Sequence, residues 1–224
     1  MIFLPIIHSK NFYLLVAMLF YFICSPFIIE THFSHLLMSI LMALIIVICI
    51  NIVAFNRFTI ITSAFLLTIA LIEYLAISLI GPSKELYIAY FTTNTIFLSF
   101  MTVCVIYAVA KQQEITIDTL LGAICGYLLL GLTWSHLYLA MSCLDPSSFS
   151  YHIEPNAFRD NVQHFMYFSY ITLTTVGYGD ITPRTDIARA FSWLEAAIGQ
   201  IYLTVWISQL VAMHIAQRFR KDIT

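Results

Sequence analysis

The stretch Phe165-Met166-Tyr167-Phe168-Ser169-Tyr170-Ile171-Thr172-Leu173, followed at once by Thr174-Thr175-Val176-Gly177-Tyr178-Gly179-Asp180, decides how the chain is read. Its apolar run is half the length that a bilayer requires. About 14 helical residues rise only about 21 Å, whereas about 20 are needed to cross ~30 Å of hydrocarbon. The residues after it alternate Gly177 and Gly179 with Val176 and Tyr178 and carry no helical periodicity. Irregular backbone at membrane depth is tolerated only where protein buries it or where it lines a water-filled cavity. A segment that re-enters the membrane satisfies both constraints.

Working outward, six apolar runs are long enough to be predicted spans, at roughly 11–29, 33–54, 58–80, 87–110, 117–142 and 187–216. Their connectors are short, as at Glu30-Thr31-His32, Asn56-Arg57, Gly81-Pro82-Ser83-Lys84-Glu85 and Lys111-Gln112-Gln113-Glu114, which makes consecutive spans antiparallel neighbours. The exception is 143–186, which holds Pro146, Pro155, Pro183 and the half-length run. The expected fold is an all-α polytopic membrane protein of six transmembrane helices, with a re-entrant helix and loop between the fifth and sixth.

Composition agrees. The 224 residues are 61% hydrophobic and 10% charged, against ~45–50% and ~25% in soluble domains. Mean hydropathy is +0.90. Ten Lys+Arg against 12 Asp+Glu leave a net charge of -2, which excludes a nucleic-acid binder that relies on a basic face. Cys24, Cys49, Cys104, Cys125 and Cys143 are scattered singly and read as small apolar fillers. No small-x-small cleavage site follows the first run, so it is read as retained and not as a signal peptide. With both termini cytoplasmic, Lys10, Arg57, Lys111, Arg218, Arg220 and Lys221 lie inside and Lys84, Arg159, Arg184 and Arg189 outside.

The motif Thr174-Thr175-Val176-Gly177-Tyr178-Gly179-Asp180 resembles the selectivity filter of tetrameric potassium channels letter for letter. The resemblance runs from about 117 to 218 in the order outer helix, turret, pore helix, filter, inner helix. It is similar in layout to small six-span prokaryotic members. It implies a homotetramer in the cell membrane and a potassium site at Thr175, Val176, Gly177, Tyr178 and Gly179. No cofactor is implied beyond permeant potassium ions, and no partner beyond the lipid bilayer and other copies of the chain. The predicted division is 1–116, a four-helix N-terminal transmembrane region, then 117–218, the pore domain, then 219–224, a short cytoplasmic tail.

Physical chemistry supports the motif independently. A dehydrated potassium ion needs oxygens in place of its water shell, and consecutive carbonyls supply them only if successive peptides point one way. Gly177 and Gly179 can take positive φ without a Cβ penalty, and Thr175 can add its hydroxyl as the innermost layer. The pore helix ends near Leu173, so its negative dipole end favours a cation below the filter.

Filter support is expected from Thr174, Asp180, Tyr167 and Glu195. Many relatives brace the filter Asp with a pore-helix Trp; the matching aromatic pair here is Tyr167 and Phe168, and a Tyr hydroxyl can bond Asp180. Some bacterial members have a Glu where this chain has Ile171. Glu195, by resemblance level with the back of the filter, can accept bonds from Trp, Tyr or pore-helix groups. Gly199 reads either as a gating hinge or as a site of close packing, and Leu203, Ile207 and Val211 either line the inner pore or pack ordinarily. Gly122 and Gly126 form a small-xxx-small face. Glu73 is read as a carboxyl that holds helices together.

Residues 87–110 carry no Lys or Arg, so the voltage-sensor pattern is missing, and the short tail leaves no room for a ligand-binding cytoplasmic domain. The expected function is passive, potassium-selective conduction and not enzymatic; the alternative is a non-conducting or regulatory subunit of a potassium channel or uptake system. Neither a Gly-x-Ser-x-Gly elbow nor a phosphate loop supports an enzyme.

Overall fold

The computed structural model describes residues 9–25, 32–53, 57–81, 83–112, 116–151 and 158–223. The end of the first predicted span, the connector residues Glu30, Thr31, Asn56, Pro82, Gln113 and Glu114, and Pro155 lie outside the described residues.

Hydroxyl side chains set where the apolar runs begin to coil. Ser9 accepts a hydrogen bond from the Phe12 N–H (3.1 Å), Ser83 from Leu86 (3.2 Å), Thr116 from Thr119 (3.2 Å) and Thr185 from Ala188 (3.3 Å). Each satisfies one donor orphaned by the first helical turn and contributes about 1 kcal/mol. The helices that follow are α1 (Lys10–Cys24), α2 (His32–Val53), α3 (Arg57–Ile80), α4 (Lys84–Ala110), α5 (Ile117–Leu144), α6 (Phe158–Leu173) and α7 (Asp186–Ile223). A two-stranded antiparallel ribbon, β1 (Phe149–Tyr151) with β2 (Ile181–Pro183), pairs Phe149 with Pro183, Ser150 with Thr182 and Tyr151 with Ile181.

Among the described residues three helices, α3, α4 and α5, are long and apolar enough to cross a membrane. The second predicted span is helical over His32–Val53, close to its expected bounds, whereas the first and last differ at one end. The first ends at Cys24 after 15 residues, and the last continues to Ile223 instead of stopping at 216. Polar Glu195, Gln200, Thr204, Ser208 and Gln209 make α7 the less apolar of the long helices.

The chain packs as two compact units. One comprises Met1–Val53, Val103–Leu128 and Gln200–Thr224; the other comprises Ala54–Thr102 and Leu129–Gly199. In the first, α1 packs on α2 and buries Leu14, Met18, Tyr21, Leu41, Met42, Ile45, Ile46 and Cys49. Asp118, in the first turn of α5, holds the start of α1. It accepts from the Ser9 hydroxyl and the Asn11 N–H, while Asn11 Nδ2 donates to its carbonyl at 3.0 Å. The Tyr202 hydroxyl donates to the Ala123 carbonyl (2.6 Å), and a Cβ on Gly126 would stand 2.7 Å from that hydroxyl. The small-residue face of α5 is thus the notch that admits Tyr202.

In the second unit an aromatic core joins α5, β1 and α6. Phe149 and Phe165 ring centroids are 4.8 Å apart, Tyr138 and Phe168 5.1 Å, and Tyr138 and Phe149 5.5 Å. The edge-on geometries suit the ring quadrupoles. Thr93 donates to Glu73 Oε1 (3.0 Å), so this carboxyl ties α3 to α4. The Arg184 N–H donates to the Ser148 carbonyl (2.8 Å), extending the ribbon by one bond. The ribbon therefore anchors the chain just beyond the glycine-rich loop, at Ile181–Pro183.

Gly126→Ala is expected to push Tyr202 off the Ala123 carbonyl and lower the melting temperature, measured by thermal unfolding in detergent. Tyr202→Phe should lower it less, since an interhelical hydrogen bond in a membrane contributes about 0.6 kcal/mol on average. In the background Tyr202→Phe, adding Gly126→Ala should do less further harm than in the wild type.

Candidate functional site

Helix α6 stops because of how its last carbonyls are satisfied. The Thr174 N–H and hydroxyl both donate to the Tyr170 carbonyl, at 3.0 and 2.6 Å. The Thr175 N–H donates to Thr172 (2.9 Å), and the N–H groups of Val176 and Gly177 both donate to Ile171 (2.9 and 3.0 Å). One bond spanning five residues enclosing another spanning three is the Schellman pattern, which requires a left-handed residue just past the helix. That residue is Thr175, with φ 60°. Glycine is usual there, and a branched side chain costs about 1–2 kcal/mol. Gly177 (φ 52°) and Gly179 (φ 80°) continue the alternation, so positive φ falls on every second residue from 175 to 179. A Cβ added to either glycine would meet no atom within 4 Å. Their constraint is conformational, not steric.

Asp180 closes the loop. Its carboxylate accepts from the Tyr167 hydroxyl (2.7 Å) on α6 and from the Ile181 N–H (3.0 Å). The Tyr167 and Tyr178 rings lie parallel within 5°, with centroids 6.4 Å apart. Tyr167 thus braces the loop at both its outer residues. Phe168, the other half of the aromatic pair, points into the buried core against Tyr138 and does not reach Asp180. Val176 and Tyr178 are 53% and 73% exposed in the single chain, so the loop presents itself to a neighbour or to solvent.

Two glycines and a carboxyl seat α6. A Cβ on Gly131 of α5 would come within 2.3 Å of the Tyr170 ring, and one on Gly199 of α7 within 2.3 Å of the Leu173 carbonyl oxygen. Both positions are buried. Gly199 therefore allows the end of α6 to touch the backbone of α7, and α7 stays helical through it. Glu195, fully buried, lies with Oε2 2.6 Å from the Tyr138 hydroxyl and Oε1 2.5 Å from Ser169 Oγ. Ser169 Oγ is also 2.8 Å from the Gly131 carbonyl oxygen. Further along α7, Leu203, Ile207 and Val211 are 37%, 59% and 53% exposed, an apolar stripe without cover in the single chain.

Sequence reasoning singles out Glu195 but not Ser169, Tyr138 or Gly131. The signal was weak: a Ser and a Tyr inside apolar helices are ordinary, and Gly131 falls outside the Gly122/Gly126 spacing. Gly131→Ala is expected to destabilise the protein by about 1–3 kcal/mol through overpacking on Tyr170, read as a fall in thermal unfolding temperature. Tyr170→Ala in the same chain should recover part of that loss.

A family profile described as "Ion channel" matches residues 126–215. The chain is 35% identical over 60 residues to "Probable potassium channel protein 2" of Methanocaldococcus jannaschii, covering 26% of this chain and 17% of that one. It is 34% identical over 87 residues to "Two pore potassium channel c" of Oryza sativa subsp. japonica, covering 39% of this chain and 17% of the relative. It thus aligns with about a sixth of the length of these curated relatives. No solved structure matches at a significant level. Residues 126–215, which hold the glycine-rich loop and most of the two helices around it, are thus similar to an ion-channel family, and both relatives are named as potassium channels.

Proposed function

We propose that the protein is a potassium-selective channel subunit whose conducting form is a homotetramer in the cell membrane. The observation that carries this reading is the loop 174–180, with positive φ at Thr175, Gly177 and Gly179 in a sequence identical to a potassium filter. Carbonyls from 175 to 179 and the Thr175 hydroxyl would replace the water shell of the ion, and one chain supplies one quarter of each ligand ring. The exposure of Val176 and Tyr178 in the single chain fits such a ring.

On this reading 117–218 is the pore domain, 1–116 a four-helix transmembrane region and 219–224 a cytoplasmic tail, in a six-span chain with both termini inside. The exposed stripe Leu203, Ile207 and Val211 would line the inner pore. Gly199 is the candidate hinge, and because the Leu173 carbonyl lies against it, bending there would carry the end of the pore helix along. Thr174, Tyr167 and Asp180 support the filter through the bonds described, and Glu195 through the pore helix.

Reconstituted into liposomes, the protein should pass potassium and rubidium far better than sodium; equal fluxes of sodium and potassium would overturn the reading. Gly177→Ala should abolish selective flux, since a Cβ at φ 52° forces the loop out of its conformation. Tyr167→Phe should leave assembly intact and shorten the lifetime of the conducting state in single-channel records. With no Lys or Arg in 87–110, open probability should vary little with voltage; steep sigmoidal activation in planar bilayers would contradict this.

A further inference from the structure

Glu195 sits in a cluster whose protons can be counted. Glu195 and Ser169 make three polar contacts: Tyr138 hydroxyl to Glu195 Oε2 (2.6 Å), Glu195 Oε1 to Ser169 Oγ (2.5 Å), and Ser169 Oγ to the Gly131 carbonyl oxygen (2.8 Å). Each requires one proton. Tyr138 and Ser169 bring one apiece. The Gly131 carbonyl can only accept, so Ser169 must donate to it. The contact between Ser169 and Glu195 then lacks a proton unless the carboxyl carries one.

The surroundings point the same way. Glu195 is fully buried, and among the described residues no Lys, Arg or His side chain forms a bond or ion pair with it. The groups that face it are Tyr138 from α5 and Ser169 from α6; Ser192, one turn earlier on its own helix, lies 2.8 Å from the Ala188 carbonyl oxygen and also bonds the Tyr138 hydroxyl, which leaves the contacts of Glu195 and Ser169 unchanged. None can neutralise a carboxylate, and an uncompensated buried charge is strongly unfavourable.

We propose that Glu195 is a neutral carboxylic acid that donates to Ser169 and so positions the pore helix behind the filter. The bonds then run in one direction, Tyr138 to Glu195 to Ser169 to the Gly131 carbonyl, from α5 through α7 and α6 back to α5. A chain of donors aligned this way is mutually polarised. Ser169 is one helical turn before Leu173, where α6 gives way to the loop, so the network sets the depth at which the filter starts. Only the part of this proposal that concerns conduction rests on the channel reading above.

Glutamine reproduces the acid's pattern, since its carbonyl accepts from Tyr138 and its NH2 donates to Ser169. Glu195→Gln should therefore keep the wild-type melting temperature and potassium flux. Glu195→Ala should lower the conducting fraction about tenfold, the factor that an unsatisfied buried hydrogen-bond group corresponds to. Infrared spectra of the wild-type protein should contain a protonated-carboxyl C=O stretch in an apolar setting that Glu195→Gln lacks. A Gln variant as damaged as the Ala variant, or wild-type and Gln spectra without that difference, would overturn the proposal. Should wild-type protein pass no potassium, the channel reading falls, while the infrared band and melting temperatures still decide the state of Glu195.

Discussion

In the proposed re-entrant arrangement α6 ends inside a membrane and must dispose of its last carbonyls without water, and every other feature of the loop depends on how it does so. The Ile171 carbonyl accepts from both Val176 and Gly177, and this forces the chain through a left-handed residue at Thr175. Once that turn is made, Gly177 and Gly179 repeat the sign of φ and Asp180 ends the loop on Tyr167. Threonine at a position that favours glycine is a local strain, and strain of this kind persists only where the surroundings over-determine the conformation. Here the surroundings are specific: the hydroxyl of Thr174 on the Tyr170 carbonyl, the Tyr167 brace, and the β1–β2 ribbon that anchors the chain just beyond Asp180.

The second constraint is the seat of α6. Two glycines let α6 approach α5 and α7 more closely than any side chain would allow, Gly131 at the Tyr170 ring and Gly199 at the Leu173 carbonyl. The hydroxyl–carboxyl chain through Tyr138, Glu195 and Ser169 then fixes its axial position. In a membrane interior, apolar packing between helices is weakly directional, so small residues and hydrogen bonds supply the specificity that burial supplies in water. The aromatic cluster of Tyr138, Phe149, Phe165 and Phe168 fills the space these contacts leave.

Much of this is legible from the sequence where it depends on local pattern. The half-length run before a glycine-rich loop marks α6 and its abrupt end, because length against bilayer thickness is arithmetic. The second to fifth apolar runs appear as helices with close boundaries, whereas the first helix ends at Cys24 and α7 continues to Ile223, since an apolar pattern cannot show how far a polar helix extends beyond it. Among the described residues three helices are both long and apolar enough to cross unaided. Side-chain partners between distant segments are the illegible part. Nothing in the letters pairs Ser169 with Gly131, or Asp118 with Ser9 and Asn11, because those contacts depend on helix rotation and depth, which no periodicity encodes.

The central claim is that four copies of residues 175–179 form rings of oxygen ligands around an axis. Diffraction from crystals of the assembled protein grown in rubidium, recorded at the rubidium absorption edge, tests it most directly. The account predicts a column of anomalous peaks on a fourfold axis, spaced between successive carbonyl layers from Thr175 to Tyr178. Crystals of the intact assembly in which that loop lies away from any symmetry axis, with no rubidium along it, would contradict it.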